Sequence, residues 1–191
     1  MDVRTAALVV VDVQRGFVNG NSEHAVPQVV RLVEMWSSAG RPVVFARFRN
    51  APRSPYERIS GWTRLRTAEE QALVESLEPF VDSAALLVDK TVSSALTEDL
   101  VRVVDERGWT DLVLCGIDTD SCVYDTAVAA YHGGLTPWIV TDACASTGGA
   151  EVHEAALLLA RRNIGAHQLL TVDQVVDVLA GRVPAPEGTC A

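Results

Sequence analysis

The chain has 191 residues, of which 48% are hydrophobic, 6% aromatic and 21% charged, and its formal net charge at pH 7 is −9. This length and composition predict one folded domain with a single core and exclude a disordered chain. The 16 Lys and Arg residues form no dense run. The charge therefore disfavours nucleic acid and anionic membrane as partners, and an anionic substrate would have to be met by local arginines.

Short apolar runs alternate with amphipathic stretches along the chain. The pattern predicts strands over 6–12, 42–48, 85–90, 111–117, 136–143 and 166–171. It predicts helices over 23–40, 67–77, 97–108, 120–134, 150–163 and 173–180. Thr67 and Glu70 have the spacing of a capping box, and Gly108 marks a helix end. This alternation predicts an α/β fold with a parallel sheet, helices on both faces and right-handed crossovers.

The boundaries of the domain follow from the same pattern. We expect one domain over 1–181 and a loose tail over 182–191, which is rich in Pro and Gly. The segment 50–66 is the one long irregular stretch, and it holds aromatic and Arg residues, so it is expected to be functional. No apolar stretch approaches the ~20 residues of a membrane helix. The N-terminal apolar run is interrupted by Asp and predicts a strand, not a signal peptide.

Four cysteines stand at 115, 122, 144 and 190. Without a signal peptide we expect a cytoplasmic protein with reduced thiols. No Cys-x-x-Cys or Cys/His spacing predicts structural zinc.

Three residues that can carry chemistry lie at one edge of the predicted sheet: Asp12 and Lys90 end predicted strands, and Cys122 follows the turn after the fourth strand. In an open parallel sheet, ligands bind at the carboxyl ends of the strands. Cys122 begins a predicted helix, whose N–H groups and dipole favour a thiolate, as would the Lys90 ammonium. Asp12 could transfer protons as a general acid/base. Taken singly, each has an ordinary alternative: an inert buried thiol, a turn-forming Asp and a solvated Lys.

Other chemistries of α/β proteins find little support. The residues after the first strand, DVQRGF, lack the G-x-G-x-x-G pattern of dinucleotide-binding chains, and neither a P-loop nor a G-x-S-x-G elbow is present. An aspartyl phosphatase would usually carry a second Asp two residues after Asp12, where this chain has Gln14.

Three segments together resemble the isochorismatase-like cysteine hydrolase family: VVVDVQRGF with Asp12, VDKTVSSAL with Lys90, and GIDTDSCVYDTAVAA with Cys122. TDACAS (141–146) and the helix carrying His153 extend the resemblance from about residue 6 to 170. It implies a three-layer, doubly wound, six-stranded parallel sheet of order 3-2-1-4-5-6. It also implies a catalytic triad of Asp12, Lys90 and Cys122, a cis peptide before Asp118, and an oxyanion hole built from the N–H groups of Asp118 and Cys122. Members are often homo-oligomers, so a dimer or tetramer is expected.

Departures from the family narrow the expected function. Nicotinamidases of the family carry an Asp-x-His metal site after the second strand, whereas ARFRNAPRSPYERISGW contains no His. Cys122 favours cleavage of a C–N bond over cleavage of a vinyl ether. We therefore expect an amidohydrolase that uses no metal or other cofactor and acts on an amide or carbamoyl group of a small molecule.

The expected substrate-binding residues are aromatic and basic side chains: Phe17, Arg47, Phe48, Trp62 and Tyr124, with Tyr56 and Arg49 as further candidates. Most of them lie in or beside the Arg-rich loop 47–66. Two alternatives stay open. One is a vinyl ether hydrolase in which Cys122 is a bystander, and the other is a non-catalytic small-molecule-binding protein.

Overall fold

The computed structural model of the protein describes residues 1–182. Cys190 and nearly all of the predicted tail lie outside the described residues. The strands are β1 (Ala6–Val11), β2 (Val43–Phe48), β3 (Leu86–Lys90), β4 (Asp111–Ile117), β5 (Thr136–Ala145) and β6 (Leu169–Leu170). They form one parallel sheet of order β3-β2-β1-β4-β5-β6, which confirms the predicted fold class and strand order.

Helices cover both faces of this sheet. They are α1 (Val26–Ser38), α2 (Pro55–Ser60), α3 (Ala68–Gln71), α4 (Glu78–Val81), α5 (Glu98–Arg107), α6 (Tyr124–His132), α7 (Ala150–Asn163) and α8 (Val172–Leu179). α1 packs against α8 on one face, and α6 packs against α7 and β5 on the other. No helix of residues 1–182 is long and apolar enough to cross a membrane.

The core lies along the central strands. Every residue of β1 and β4 is buried, as expected for central parallel strands that are covered on both faces. The strand order reverses between β1 and β4, and this point is where ligands bind in doubly wound sheets. The residues that follow β1 and β4 are therefore the first place to look for a functional site.

The predicted helix over 67–77 is wrong beyond its first turn. The capping box of Thr67 and Glu70 is present, but the helix ends at Gln71 and Ala72 is extended. Residues 70–74 instead pair with the segment after β1: Arg15 N–H donates to Ala72 O at 2.9 Å, and Val74 N–H donates to Val13 O at 3.1 Å. Hydrogen bonding to the end of β1 thus replaces the hydrogen bonds that a continuing helix would make.

Other boundaries also differ from the sequence predictions. The segment 50–66, predicted as irregular, contains α2, whose start and end carry clear signals: the Ser54 side chain caps it, Pro55 is its first residue and Gly61 ends it. β6 is only two residues long, because a 3₁₀ turn over Ala166–Gln168 occupies the first half of the predicted strand.

Gly116 allows β1 and β4 to approach each other at the switch point. Its φ is +126°, and a Cβ atom there would lie 2.0 Å from Val11 O. Val11 and Gly116 are register partners; Val11 directly precedes Asp12, and Gly116 lies two residues before Asp118. The missing side chain therefore sets how closely the two strand ends that lead into the site can pack.

Gly116→Ala should lower the free energy of unfolding by more than about 3 kcal/mol, because steric overlap adds to an unfavourable φ. Gly134→Ala is the matched control: its φ is +81°, but nothing lies within 4 Å of the added Cβ. The control should cost only about 1–2 kcal/mol. Urea denaturation measures both values, and equal losses would contradict the assignment of close packing to Gly116.

Candidate active site

A buried ion pair joins the ends of β1 and β3. Lys90 Nζ lies 2.6 Å from Asp12 Oδ2, and both side chains are 0% exposed. The same ammonium donates to Val92 O at 3.1 Å and Ser93 O at 2.8 Å, and it lies 5.2 Å from the centre of the Phe48 ring. Asp12 has a φ of +52°, in the left-handed region that Asp tolerates better than most residues. The three N–H donors of the Lys90 ammonium thus have three acceptors.

Only one oxygen of the Asp12 carboxylate has a hydrogen-bond partner among residues 1–182. Its Oδ2 receives Lys90, whereas its Oδ1 is buried and has no hydrogen-bond partner among residues 1–182. Burial raises the pKa of Asp12, and the charge of Lys90 opposes that rise. Burial lowers the pKa of Lys90, but its interactions with Asp12 and Cys122 outweigh this effect and the net direction is upward. The pair therefore keeps a charged lysine beside a carboxylate with one free oxygen.

Cys122 lies in a π-helical turn over Thr119–Val123, between β4 and α6. The Ile117–Asp118 peptide bond that precedes the turn is cis, as the family resemblance implies. The N–H groups of Ser121 and Val123 donate to Asp118 O at 3.2 and 3.0 Å, whereas the N–H of Cys122 does not bond to that oxygen. Asp118 O thus accepts from the residues on either side of Cys122.

The surroundings of Cys122 disfavour its thiolate form. Cys122 is 6% exposed. Burial raises the pKa of its thiol, and the neighbouring Asp12 charge raises it further. The sequence led us to expect a thiolate stabilised by the helix N-terminus and by Lys90, but burial and the Asp12 charge outweigh the Lys90 charge, so the pKa of the thiol is raised. A nucleophilic thiolate would have to be formed by proton transfer at the time of reaction.

Asp118 borders the same site through a second buried carboxyl group. Its Oδ1 accepts the Thr147 N–H at 2.5 Å and its Oδ2 accepts the Thr147 hydroxyl at 3.0 Å. Burial raises the pKa of Asp118 from 3.8 to about 6 despite these bonds. The contacts hold the residue after β4 against the end of β5.

A cavity of about 340 Å³ opens in front of Cys122. One wall is aromatic: the Phe17 and Trp62 rings are stacked at 6.0 Å, and the Phe48 and Tyr56 rings meet edge to face at 5.0 Å. The remaining lining is polar and comes from the α2 loop and the ends of β4 and β5: Ser60, Arg64, Asp118, Ser121, Cys122 and Thr147. The space suits a small molecule with an apolar or planar body.

Three of the expected substrate-binding residues, Phe17, Phe48 and Trp62, line this cavity, and Tyr56 joins them. Arg47 does not: its guanidinium bonds to Asp89 at 2.8 and 3.2 Å. Successive residues of a strand point to opposite faces, so Arg47 points away from the face that Phe48 occupies.

Arg49 and Tyr124 also lie away from the cavity. Arg49 bonds to Asp89 at 2.7 Å. The Tyr124 hydroxyl accepts a hydrogen bond from Asn163 at 2.5 Å, on the surface formed by α6 and α7. Sequence reasoning did not single out Ser60, Ser121 or Thr147, and it mentioned Arg64 only as one of the arginines of the irregular loop.

Gln14 is a positioning residue that sequence reasoning missed. It is 0% exposed. Its side-chain amide donates to Phe48 O at 3.0 Å and to Gln71 O at 2.8 Å, and its oxygen accepts the Phe48 N–H at 2.7 Å. One side chain therefore fixes the end of β2, which carries a cavity residue, against the segment after α3.

Comparison with known proteins identifies the family. The isochorismatase domain model matches residues 6–173. This chain belongs to the isochorismatase family. An uncharacterised isochorismatase family protein of Bacillus subtilis, YddQ, is 28% identical over 149 residues, which cover 75% of this chain and 79% of YddQ.

Two solved structures with named activities share the fold. The nicotinamidase PncA from Bacillus subtilis is 29% identical with a TM-score of 0.76, covering 87% of this chain and 99% of PncA. The N-carbamoylsarcosine amidase from Thermoplasma acidophilum is 26% identical with a TM-score of 0.77, covering 88% and 97%. These relatives support a hydrolase of the isochorismatase family, in which amidohydrolases occur.

Metal-ligating side chains do not converge in residues 1–182: no three His, Cys, Asp or Glu side chains are grouped so that they could hold an ion. The family resemblance implies that a nicotinamidase would carry an Asp-x-His pair after β2. This chain has Arg49, Asn50 and α2 in that segment instead. The residues present there do not fit that metal site.

Lys90→Met should lower the free energy of unfolding by about 3–5 kcal/mol, because the Asp12 carboxylate would stay buried without its cation. The double variant Asp12→Asn/Lys90→Met removes both charges and should recover part of this loss. Urea denaturation at pH 7 measures both. A double variant less stable than the single one would mean that Lys90 contributes through packing and not through its charge.

Asp118→Asn should change the pH dependence of stability between pH 4 and 6. The raised pKa means that the folded protein holds this proton where the unfolded chain has lost it. The contribution of Asp118 to the free energy of unfolding therefore falls, by up to about 3 kcal/mol, as pH rises from about 4 to 6 and then levels off. Denaturation curves of wild type and variant measured across this range should diverge, and parallel curves would contradict the shift.

Proposed function

We propose that this protein is a metal-independent cysteine amidohydrolase that cleaves an amide or carbamoyl C–N bond of a small molecule through a thioester at Cys122. One observation carries the proposal: the buried Asp12 carboxylate binds Lys90 through one oxygen, its other oxygen has no hydrogen-bond partner among residues 1–182, and it neighbours the buried Cys122 thiol, which lines a small cavity. A buried carboxylate oxygen without a hydrogen-bond partner costs free energy in the folded protein. A role as proton acceptor in a reaction gives a reason for keeping it.

In the acylation step, Asp12 acts as the base. Its free Oδ1 accepts the Cys122 proton, and the sulfur attacks the substrate carbonyl carbon to form the C–S bond. The N–H groups of Asp118 and Cys122 stabilise the oxyanion. Collapse of the tetrahedral intermediate breaks the C–N bond, and protonated Asp12 gives its proton to the departing nitrogen.

Deacylation runs through the same groups in the same order. Asp12, ionised again, takes a proton from a water molecule that attacks the thioester carbonyl. The C–S bond breaks, the acid leaves, and Asp12 returns the proton to the Cys122 sulfur. Lys90 keeps its charge throughout and favours the ionised form of Asp12 at the start of each half-reaction.

The raised pKa of the Cys122 thiol fits this scheme. A thiol that holds its proton at rest needs a base within reach, and the raised pKa of Asp12 makes this carboxylate a stronger base than an exposed one. Relatives named as a nicotinamidase and an N-carbamoylsarcosine amidase, which share 26–29% identity with the chain, support C–N hydrolysis over other reactions of the fold.

We further infer a cytoplasmic homo-oligomer, a dimer or tetramer, whose partner in catalysis is a small-molecule substrate. Cys115, Cys122 and Cys144 are free and buried, which suits a reducing compartment. Large apolar side chains of α7 are exposed, Leu158 at 69% and Leu159 at 50%, which supports burial of this helix against another copy.

Cys122→Ala should abolish hydrolysis of whichever substrate a screen of small amides and carbamoyl compounds identifies, because no nucleophile remains. Cys144→Ala is the matched control, since Cys144 is equally buried but does not line the cavity in front of Cys122. Amine release measures turnover, and acid quenching followed by intact-protein mass spectrometry should detect the acyl group in wild type and Cys144→Ala but not in Cys122→Ala.

Asp12→Asn should reduce turnover by about 10³-fold or more, because it removes the base without changing side-chain shape. More than a trace of activity in Cys122→Ala would refute the covalent route. Cleavage of isochorismate by that variant would favour the vinyl ether alternative. Failure of every substrate together with an unreactive Cys122 would favour a binding protein.

A further inference from the structure

We propose that Arg64 forms a carboxylate-binding subsite of the cavity, so that the substrate is a small amide or carbamoyl compound carrying a carboxylate. The inference rests on the proposed function, because it assigns the substrate class of the same site. It moves the anion-binding role from Arg47 and Arg49, where the sequence placed it, to an arginine that lines the cavity.

Arg64 is held in place by its backbone and by its side chain. Asn50 Nδ2 donates to Arg64 O at 2.8 Å, and Asn50 N–H donates to the next carbonyl, Leu65 O, at 3.0 Å. The Arg64 guanidinium donates through Nη2 to Gly16 O at 2.7 Å. A guanidinium has five N–H donors in a planar fork, so this bond orients the group and leaves donors for a ligand.

The charge of Arg64 is not neutralised within residues 1–182. Arg47 and Arg49 both pair with Asp89, and Arg66 pairs with Glu57, but Arg64 forms no ion pair in this part of the chain. Arg64 also brings a positive charge to the lining of the cavity in front of Cys122. An arginine positioned by a carbonyl and facing a ligand cavity is suited to a carboxylate, which it can bind through two parallel hydrogen bonds.

The carboxyl group of Asp118 lines the same cavity and would oppose an anion placed beside it. Its two oxygens are already occupied by donors of Thr147, next to Cys122 and the end of β4. Arg64 is tied instead to Gly16, in the segment after β1. A substrate bound in this arrangement would place its scissile carbonyl beside Cys122 and its carboxylate beside Arg64.

The aromatic wall and the overall charge agree with this arrangement. Phe17 follows Gly16 directly, and Trp62 lies two residues before Arg64, so the stacked pair adjoins the proposed subsite. A net charge of −9 repels anions at long range, and selection of an anionic substrate then requires a local cation. The cavity of about 340 Å³ limits that substrate to a small molecule.

Alkylation of Cys122 tests the subsite without a known substrate. Iodoacetate and iodoacetamide transfer a carboxymethyl or carbamoylmethyl group to sulfur: the S–C bond forms, the C–I bond breaks, iodide leaves and the thiol proton is lost. They differ only in carboxylate against carboxamide. The measured quantity is the ratio of their rate constants at Cys122, followed by peptide mass spectrometry, with glutathione giving the intrinsic ratio.

We expect the iodoacetate/iodoacetamide ratio to fall about fivefold or more in Arg64→Gln, because a hydrogen-bonded charge pair is lost. Arg64→Lys should keep part of the preference, since it retains the charge but not the fork. Arg58→Gln is the matched control: it removes the same charge from an exposed residue of α2 that does not line the cavity, and its ratio should equal that of wild type. High salt should lower the wild-type ratio towards that of Arg64→Gln.

The outcomes separate the two proposals. Equal ratios in wild type and Arg64→Gln, with Cys122 still alkylated, would overturn the subsite and leave the cysteine mechanism standing. An equal fall in Arg58→Gln would show a general charge effect and would also overturn it. A Cys122 that neither reagent modifies in the folded protein would overturn the nucleophile, and with it the subsite. Thermal denaturation of each variant verifies that the compared proteins are folded.

Discussion

The organisation of the molecule depends on the buried ion pair between Asp12 and Lys90. Two charges that are fully removed from water must satisfy each other, since their separate burial would cost several kcal/mol each. The two residues end or follow β1 and β3, which lie on either side of β2. The pair therefore requires β1, β2 and β3 to end at one level, and the Phe48 ring at the end of β2 lies against the lysine. A requirement for charge compensation thus sets the edge of the sheet where the site is built.

The burial that makes the ion pair unfavourable on its own also raises the pKa values that the proposed mechanism uses. In a dry site, a thiol holds its proton and a carboxylate has a raised affinity for one, so both pKa values move upward. Lys90 limits this rise at Asp12 and keeps a base available. The proposed mechanism therefore needs proton transfer between two buried neighbours and does not need a preformed thiolate. Stability and reactivity are coupled here, because the group that keeps Asp12 ionised also offsets the cost of burying it.

The rest of the site is positioned by backbone packing and a few buried polar side chains. Gly116 lets β4 approach β1, and Gln14 ties the end of β2 to the segment after α3. The carbonyl of Gly16 holds the Arg64 guanidinium in the lining of the cavity that Cys122 also lines. The proposed substrate contacts therefore come largely from the loop between β2 and α3, whereas the proposed chemistry lies at the strand ends and in the turn after β4.

Sequence alone determined the strand order, most of the helices and the candidate residues Asp12, Lys90 and Cys122, because hydrophobic period, capping residues and a family resemblance are local or linear signals. It also led to Phe17, Phe48 and Trp62. It could not determine that 67–77 leaves the helix after one turn, since the competing hydrogen bonds come from residues 13–16, far away in the chain. Nor could it choose among the arginines. Arg47 and Arg49 are neutralised by Asp89 and Arg64 faces the cavity, and only the tertiary arrangement of strand faces and loop contacts decides which guanidinium keeps its charge free.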